Sequence, residues 1–308
     1  MHQEKLKSKF LGCLVGAAIG DGLGSWRQAK RMARREEIEL LAEKLEQLTY
    51  TDDTHMTIGV AESLIESKRF NGERMVKTFI SSYEAEPWRG YGPGPPKVFR
   101  MIKNGEQWDS AASKIHKGGS FGNRSAMRVA PIGLLYSNDT EKLRDIAYKS
   151  SCITHSHELG KEGAALQAYA VALAINTPPD EEIKREVFLL KLQNFAQNQL
   201  YNEKVASIKE LLDKQDRTRV FTILGNGIEA PRSVPTAIYC FLRQPESYRD
   251  CVLYAISLGG DTDTIASMAG AISGAYLGIE AIPQEWKAKL ENRAYIEALA
   301  EKLWEIAI

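Results

Sequence analysis

The 308-residue sequence predicts an all-α fold, built as a single compact helical bundle. Apolar residues recur with helical spacing along most of the chain, whereas alternating strand patterns are hard to find. The Pro-rich and Gly-rich breaks are too short to be flexible linkers, and no repeat of about 20–50 residues is visible. We therefore expect one domain spanning residues 1–308. The clearest helical patterns cover Glu36–Leu48, Met56–Ser67, Gly160–Ile175, Lys184–Gln197, Tyr248–Ser257 and Ile265–Leu277.

The composition argues against several classes of protein. Lys and Arg together number 40, as do Asp and Glu, so the formal net charge is zero and a global basic surface for nucleic acid is not supported. No uncharged apolar stretch reaches the roughly 18 residues of a membrane span, and the N-terminus lacks a signal-peptide pattern. We expect a cytoplasmic protein with no membrane contact and no direct nucleic-acid binding. Four cysteines lie in apolar segments without a C-x-x-C pair, which is typical of reduced core residues: Cys13, Cys152, Cys240 and Cys251.

Two predicted helices carry a glycine at every fourth residue. Glycine lowers helix stability, so three on one face are best explained by the close approach of another backbone. In a protein without membrane spans this pattern predicts a tightly packed central pair of helices. Antiparallel packing would bring Asp21 to the same end of the bundle as Asp261 and Asp263. The two series are Gly12, Gly16 and Gly20, and Gly270, Gly274 and Gly278.

Two short acidic motifs each precede a helical run: Thr51-Asp52-Asp53-Thr54 and Asp261-Thr262-Asp263-Thr264. Thr and Asp are preferred N-cap residues, and acids in the first turn favour the helix dipole, so either motif alone is well explained as a cap. A cap needs one such residue, however, and neighbouring carboxylates repel each other unless a cation lies between them. If the two helix starts meet, they form an all-oxygen cluster suited to hard divalent cations.

Three further segments have side chains or backbone suited to a ligand. The loop Gly118–Asn123 precedes a helical run over Ser125–Tyr136 and offers N–H groups to a phosphate, although most Gly-rich loops are turns. In Trp88–Gly92, Gly92 permits close approach of a ligand, and a structural turn explains the segment equally well. His155 fits a substrate contact or a structural role better than a zinc site, because His155 and His157 do not share a helix face.

Taken in order, these segments resemble the ADP-ribosylglycohydrolase family over nearly the whole chain. The Tyr50–Thr54 and Val234–Leu242 segments look most like the branch that removes ADP-ribose from serine and trims poly(ADP-ribose). The branch that releases arginine is the close relative. The matching segments are Gly16–Gly24, Tyr50–Thr54, Glu86–Gly92, Gly119–Pro131, Ser151–His155, Leu224–Phe241 and Gly259–Thr264.

The resemblance implies an all-helical bundle of the ADP-ribosylglycohydrolase type with two Mg²⁺ or Mn²⁺ ions in a cleft. It implies that one ion is held by Thr51, Asp52 and Asp53, and the other by Asp261, Asp263 and Thr264, with Asp263 bridging them. The Gly-rich loop would hold the diphosphate and distal ribose, and Phe121 would stack near the adenine end. The ligand would be contacted by Asp21, Gly92, Gly119, Ser120, Phe121, Gly122, Asn123 and His155.

One position departs from the family pattern. Relatives normally carry Glu, as a metal ligand or acid/base, where this chain has Gln28; an amide oxygen binds a cation but does not transfer a proton as a carboxylic acid does. The expected function is a Mg²⁺-dependent hydrolase that releases ADP-ribose from ADP-ribosylated proteins, serine-linked or poly(ADP-ribose) first and arginine-linked second. The alternatives are an ADP-ribose-binding module with little turnover and a di-metal phosphohydrolase. The residues expected to carry catalysis are Asp53, Asp261, Asp263 and Gln28.

Overall fold

A computed structural model describes residues 2–115, 117–178, 181–214 and 216–308. Along these residues the backbone is predominantly helical, with short 3₁₀ segments at Ser25–Arg27, Ala111–Lys114, Ala230–Arg232 and Ile279–Ala281. The α-helices are α1 His2–Gly24, α2 Arg35–Lys44, α3 Asp52–Ser67, α4 Gly72–Ala85, α5 Gly94–Lys103, α6 Arg124–Met127, α7 Ala130–Leu135, α8 Thr140–Cys152, α9 Glu158–Ile175, α10 Arg185–Phe195, α11 Gln199–Lys214, α12 Arg217–Ile223, α13 Val234–Arg243, α14 Tyr248–Ser257, α15 Thr262–Leu277, α16 Gln284–Lys289 and α17 Arg293–Ala307.

The all-α prediction is confirmed. Over the described ranges no β-strand forms, and strand-like pairing is limited to isolated bridges such as Lys30–Gly260 and Gly122–Glu229. The predicted helix over Ser125–Tyr136 is wrong in one respect, because the structure divides it into α6 and α7. Pro131 explains the break: proline is tolerated in the first turn of a helix but not in its interior.

Local sequence sets the boundaries of the supporting helices. Asn71 begins α4 by accepting a hydrogen bond from the Arg74 N–H, and apolar residues every three to four positions then form its buried face. Ser247 caps α14 in the same way by accepting from the Asp250 N–H. These helices are amphipathic and cover the core, whereas α15 is buried on nearly all sides.

The helices α1 and α15 form the predicted antiparallel central pair. Gly12 packs against Gly274, Gly16 against Gly270, and Gly24 against Asp263, so the residue numbers run in opposite directions along the interface. Such close approach requires glycine, because a Cβ on Gly16 would lie 2.6 Å from the Gly270 carbonyl oxygen. The end of α1 and the start of α15 therefore meet at one end of the bundle.

The remaining helices enclose this pair. Helices α9, α13 and α14 pack on α15, while α17 packs on both α1 and α3. A hydrophobic cluster of buried residues runs from Phe10 on α1 to Leu303 on α17. Cys13, Cys240 and Cys251 are buried and Cys152 is partly buried, all as free thiols, as expected. None of the helices in the described ranges combines the length and apolar character needed to cross a membrane.

Candidate functional site: an acidic cluster beside a loop-lined cavity

The first acidic motif begins α3 and is held by Asp21. The Asp21 carboxylate is fully buried and accepts hydrogen bonds from the backbone N–H and hydroxyl of both Thr51 and Thr54, at 2.6–3.0 Å. Thr51 also caps α3 by accepting from the Asp53 N–H. The capping interpretation is therefore correct for Thr51. Asp21, predicted to contact substrate, directs its oxygens to the motif itself.

Asp52 and Asp53 have different surroundings. The Asp52 N–H donates to the Arg89 carbonyl at 2.7 Å, and its Oδ2 accepts from the Arg124 guanidinium. Asp53 is 2% exposed, and within the described residues its Oδ2 has no hydrogen-bond partner. A buried carboxylate oxygen without a donor is costly, so this atom is a strong candidate for contact with a cation.

The second motif starts α15, but its first acid is not a cap. Asp261 occupies the N-cap position without capping the helix, and its Oδ2 accepts from the Asn123 side-chain amide at 2.5 Å. Asp263 Oδ1 accepts from the adjacent Thr264 N–H at 2.9 Å, while Thr262 donates to the Gly24 carbonyl. Thus Asp261 faces the Gly-rich loop instead of its own helix, which argues against the simple capping explanation.

The acids of the two motifs lie within electrostatic range of one another. Burial raises the pKa of Asp53 well above its ordinary value, and Asp21, Asp263, Asp52 and Asp261 raise it further. Burial and then Asp261 and Asp21 raise the pKa of Asp263 to about 8. Burial also raises the pKa of Asp52, to about 6, although Arg124 opposes that shift. The structure therefore brings together five acids, and for Asp21, Asp52, Asp53 and Asp263 the raised pKa values favour either protons or a cation.

The donor chemistry of this cluster fits a hard divalent ion. Its carboxylate and hydroxyl oxygens are the ligands that Mg²⁺ and Mn²⁺ prefer. Among the described side chains, no group of three or more His, Cys, Asp or Glu is arranged so that it could hold a metal ion as the side chains stand. The hydrogen bonds explain why: Asp21, Asp52 and Asp261 are each turned toward protein donors, so ligation requires some of them to change partners.

The Gly-rich loop is anchored on both sides. Gly119 has a φ of +83°, and a Cβ there would lie 2.5 Å from the backbone nitrogen of His157, so this position requires glycine. The Asn123 N–H donates to the Ile228 carbonyl at 2.9 Å, and the Phe121 carbonyl accepts from Ala230 at 2.9 Å. Phe121 is 43% exposed, so its ring is available to a ligand and does not belong to the core.

A cavity of about 260 Å³ lies beside the acidic cluster. The structure places five of the eight predicted ligand residues on its wall. Of the other three, Gly119 packs against Ser156 and His157, Asp21 contacts the first motif, and Phe121 is not part of the wall. His155 is buried, and its Nδ1 pairs with the Thr154 hydroxyl at 2.8 Å. The predicted residues on the wall are Gly92, Ser120, Gly122, Asn123 and His155.

Gln28 is exposed in the loop that follows α1. The next residue, Ala29, donates its N–H to the Gly260 carbonyl at 2.7 Å, and the Gly260 N–H donates to the Lys30 carbonyl at 3.0 Å. These two hydrogen bonds tie the loop to the residue immediately before Asp261. The backbone beside Gln28 is therefore close in space to the second motif, while the Gln28 side chain is exposed to solvent.

Sequence reasoning missed two arginines at the site. Arg89 lies in the Trp88–Gly92 segment, which we expected to contact a ligand or to form a structural turn. Its buried guanidinium instead donates to the Tyr50 carbonyl and pairs with Glu86 and Glu291. Arg89 therefore stabilises the backbone at the start of the first motif. Arg124 was not singled out, although a basic residue directly after a Gly-rich loop was a usable signal; it binds Asp52 and lines the cavity.

The site is a cluster of buried carboxylates beside a Gly-rich cavity in an all-α bundle, and comparisons with known proteins identify the family to which the chain belongs. The sequence model of the ADP-ribosylglycohydrolase family matches residues 2–307. ADP-ribosylhydrolase ARH3 of Mus musculus is 38% identical over 97% of this chain and 92% of its own length. The Homo sapiens protein of that name is 37% identical over 97% of this chain and 93% of its own.

The chain belongs to the ADP-ribosylglycohydrolase family and is an ADP-ribosyl glycohydrolase, a hydrolase of glycosidic bonds. The family resemblance predicted from the sequence is confirmed. A solved structure described as an ADP-ribosylglycohydrolase-related protein complex shares the fold, with a TM-score of 0.78 and 21% identity over 99% of this chain and all of that one.

Proposed function

We propose that this chain is a divalent-metal-dependent hydrolase, in one domain over residues 1–308, that releases ADP-ribose from ADP-ribosylated proteins. The observation that carries the proposal is Asp53, a buried carboxylate with four other acids around it and with one oxygen that no donor among the described residues contacts. Such a cluster is stabilised by bound cations, and glycoside hydrolysis uses carboxylates of this kind to stabilise an oxocarbenium-like transition state.

Two Mg²⁺ or Mn²⁺ ions would be held by Thr51, Asp52, Asp53, Asp261, Asp263 and Thr264. When bound, the ions supply the positive charge that neutralises the acids and orients ribose hydroxyls and water. The chain's own residues do the rest. Asp21 fixes the first motif, Asn123 orients Asp261, and the loop from Gly119 to Asn123 holds the diphosphate. Asp53, Asp261 and Asp263 place negative charge where the ribosyl C1″ becomes positive.

The linkage preference is part of the proposal. The Tyr50–Thr54 and Val234–Leu242 segments resemble the branch that acts on serine-linked ADP-ribose and poly(ADP-ribose), and arginine-linked ADP-ribose is the second choice. The similarity to relatives named ADP-ribosylhydrolase ARH3 supports hydrolysis that releases intact ADP-ribose. The deciding experiment compares serine-linked and arginine-linked substrates with and without Mg²⁺. Release of intact ADP-ribose supports the proposal, whereas AMP with ribose 5-phosphate would show that the enzyme attacks the diphosphate.

The Gln28 side chain keeps a second candidate open. An amide at this exposed position cannot serve as a general acid or base, whereas the cavity and its Gly-rich loop do not depend on Gln28. The chain would then bind ADP-ribose with little turnover. Saturable ADP-ribose binding with no product released from either linkage is the result that selects this function.

A further inference from the structure

Arg124 lies between the acidic cluster and the cavity. Its guanidinium donates to Asp52 Oδ2, and its side chain lines the cavity with Ser120 and Asn123. Of the described residues on the cavity wall, it is the only Arg or Lys. Gly92 makes room for it, because a Cβ on Gly92 would lie 3.1 Å from Arg124 Nε. The side chain therefore occupies a fitted position between the Asp52 carboxylate and the cavity.

Arg124 and a divalent cation compete for Asp52. Both neutralise the same carboxylate, whose side chain is only 4% exposed and has little room to serve two cations. The Arg124 side chain is 28% exposed and faces the open cavity, so it is the partner that is free to move. A cation bound to Asp52 also repels the guanidinium, which at close range in a partly buried site is a substantial force.

The cavity offers the displaced guanidinium a new partner. A guanidinium binds phosphate oxygens through two parallel N–H groups, and the adjacent loop offers backbone N–H groups for the same anion. We propose that Arg124 exchanges partners: it holds Asp52 in the ion-free protein, and once a divalent cation takes Asp52, it turns into the cavity and binds the diphosphate of an ADP-ribosyl ligand. This inference rests on the proposed function, because it assumes both the cation and the ligand.

The exchange couples the two binding events. Cation binding frees Arg124 for the phosphate, and phosphate binding removes the competitor from Asp52, so each raises the affinity for the other by the same factor. Removing the guanidinium changes the two affinities in opposite directions. A residue that only supported the local structure would, when removed, weaken both.

The experiment compares Arg124→Met and Arg124→Lys with the exposed control Arg100→Met on α5. Calorimetry without nucleotide measures Mn²⁺ affinity, and a second titration at saturating Mn²⁺ measures ADP-ribose affinity. Arg124→Met should bind Mn²⁺ about tenfold more tightly and ADP-ribose about tenfold more weakly, the effect expected for one charged hydrogen bond. Arg124→Lys should lie between the wild type and Arg124→Met, and the control should leave both affinities unchanged.

The outcomes separate this inference from the proposed function. Wild-type protein that binds neither Mn²⁺ nor ADP-ribose refutes the proposed function. If the wild type binds both but Arg124→Met binds Mn²⁺ no more tightly, or ADP-ribose no more weakly, the partner exchange is refuted alone. A crystal structure of the wild type with Mn²⁺ and ADP-ribose provides a test without variants: the guanidinium should contact the diphosphate, and a guanidinium still paired with Asp52 overturns the proposal.

Discussion

Gly16 and Gly270 face each other across the α1–α15 interface, and a Cβ built on either would lie within 2.6 Å of the other's carbonyl oxygen. The neighbouring atoms are backbone, which cannot move aside as a flexible side chain would. The Gly16 carbonyl also accepts a hydrogen bond from the Tyr248 hydroxyl at 2.7 Å, so its position is fixed from a second side. This contact sets the distance between the two helices that carry Asp21 and Asp263.

Gly270→Ala should therefore destabilise the protein by about 1–3 kcal/mol or more, the cost of overpacking a dense core. Urea unfolding measures the change in the free energy of unfolding. Gly94→Ala is the matched control, because a Cβ at Gly94 has no atom within 4 Å, and it should be close to neutral. Equal stability of the two variants would show that α1 and α15 separate without cost.

The central pair and the acidic cluster could be predicted because both depend on short local patterns in the sequence. Glycine at every fourth residue indicated a close helix contact, and its antiparallel direction brought Asp21 to the same end as Asp261 and Asp263. The partners of these acids could not be predicted. Asp21 accepts from Thr51, some 30 residues away, and Asp52 pairs with Arg124, some 72 away. Such pairings depend on how helices pack, which local patterns do not record.

Metal binding should depend more on Asp263 than on Asp52. If Asp263 bridges the two ions, Asp263→Asn should weaken both, whereas Asp52→Asn should weaken mainly one. We expect at least about tenfold weaker Mg²⁺ binding in each case, comparable to losing an outer partner of a metal ligand. Calorimetry gives affinity and stoichiometry, and the exposed Asp145→Asn is the control. Unchanged Mg²⁺ binding in both site variants would remove the acidic cluster as the metal site.

The stability of the ion-free protein should fall as pH rises. The pKa of Asp52 is raised to about 6 and that of Asp263 to about 8, so between the ordinary carboxyl pKa of about 4 and these values the folded protein binds more protons than the unfolded chain. The free energy of unfolding then decreases as pH passes upward through this window. Thermal unfolding with a chelator should show a lower midpoint at about pH 8.5 than at about pH 6.5.

Two comparisons test the cause of this decline. Mg²⁺ should reduce it, because the ions neutralise the same carboxylates, and Asp263→Asn should flatten its upper part. A midpoint that rises with pH in the presence of a chelator would contradict the raised pKa values of these buried acids.

Phe121 should contribute to ligand affinity through its exposed ring. Phe121→Ala is expected to weaken ADP-ribose binding by about 1–3 kcal/mol, the value of one base–aromatic contact. Phe221 on α12 is 42% exposed, against 43% for Phe121, so Phe221→Ala is a control of the same residue type and exposure. Both variants should fold normally. Equal ADP-ribose affinity in the wild type and Phe121→Ala would exclude stacking at this position.

Gln28 should limit turnover more than binding. The amide keeps the size and one oxygen of a glutamate but has neither its negative charge nor its transferable proton. Gln28 is not part of the Gly119–Asn123 loop proposed to hold the diphosphate, and the hydrogen bonds of Ala29 and Lys30 to Gly260 fix the segment around Gln28 through its backbone. A substitution at the exposed side chain should therefore leave the fold and the binding cavity unchanged.

Gln28→Glu is expected to raise the rate of hydrolysis of serine-linked ADP-ribose, because general acid–base assistance contributes typically about 10²–10⁴-fold. The affinity for ADP-ribose should stay within a few fold of the wild type. Single-turnover kinetics on serine-linked and arginine-linked substrates measures the first quantity and calorimetry the second. Gln28→Ala is the matched control and should be no faster than the wild type. If Gln28→Glu is no faster on either linkage, Gln28 is not the missing catalytic position, and the acid/base role would have to be sought among Asp21, Asp53 and Asp261 or assigned to metal-bound water.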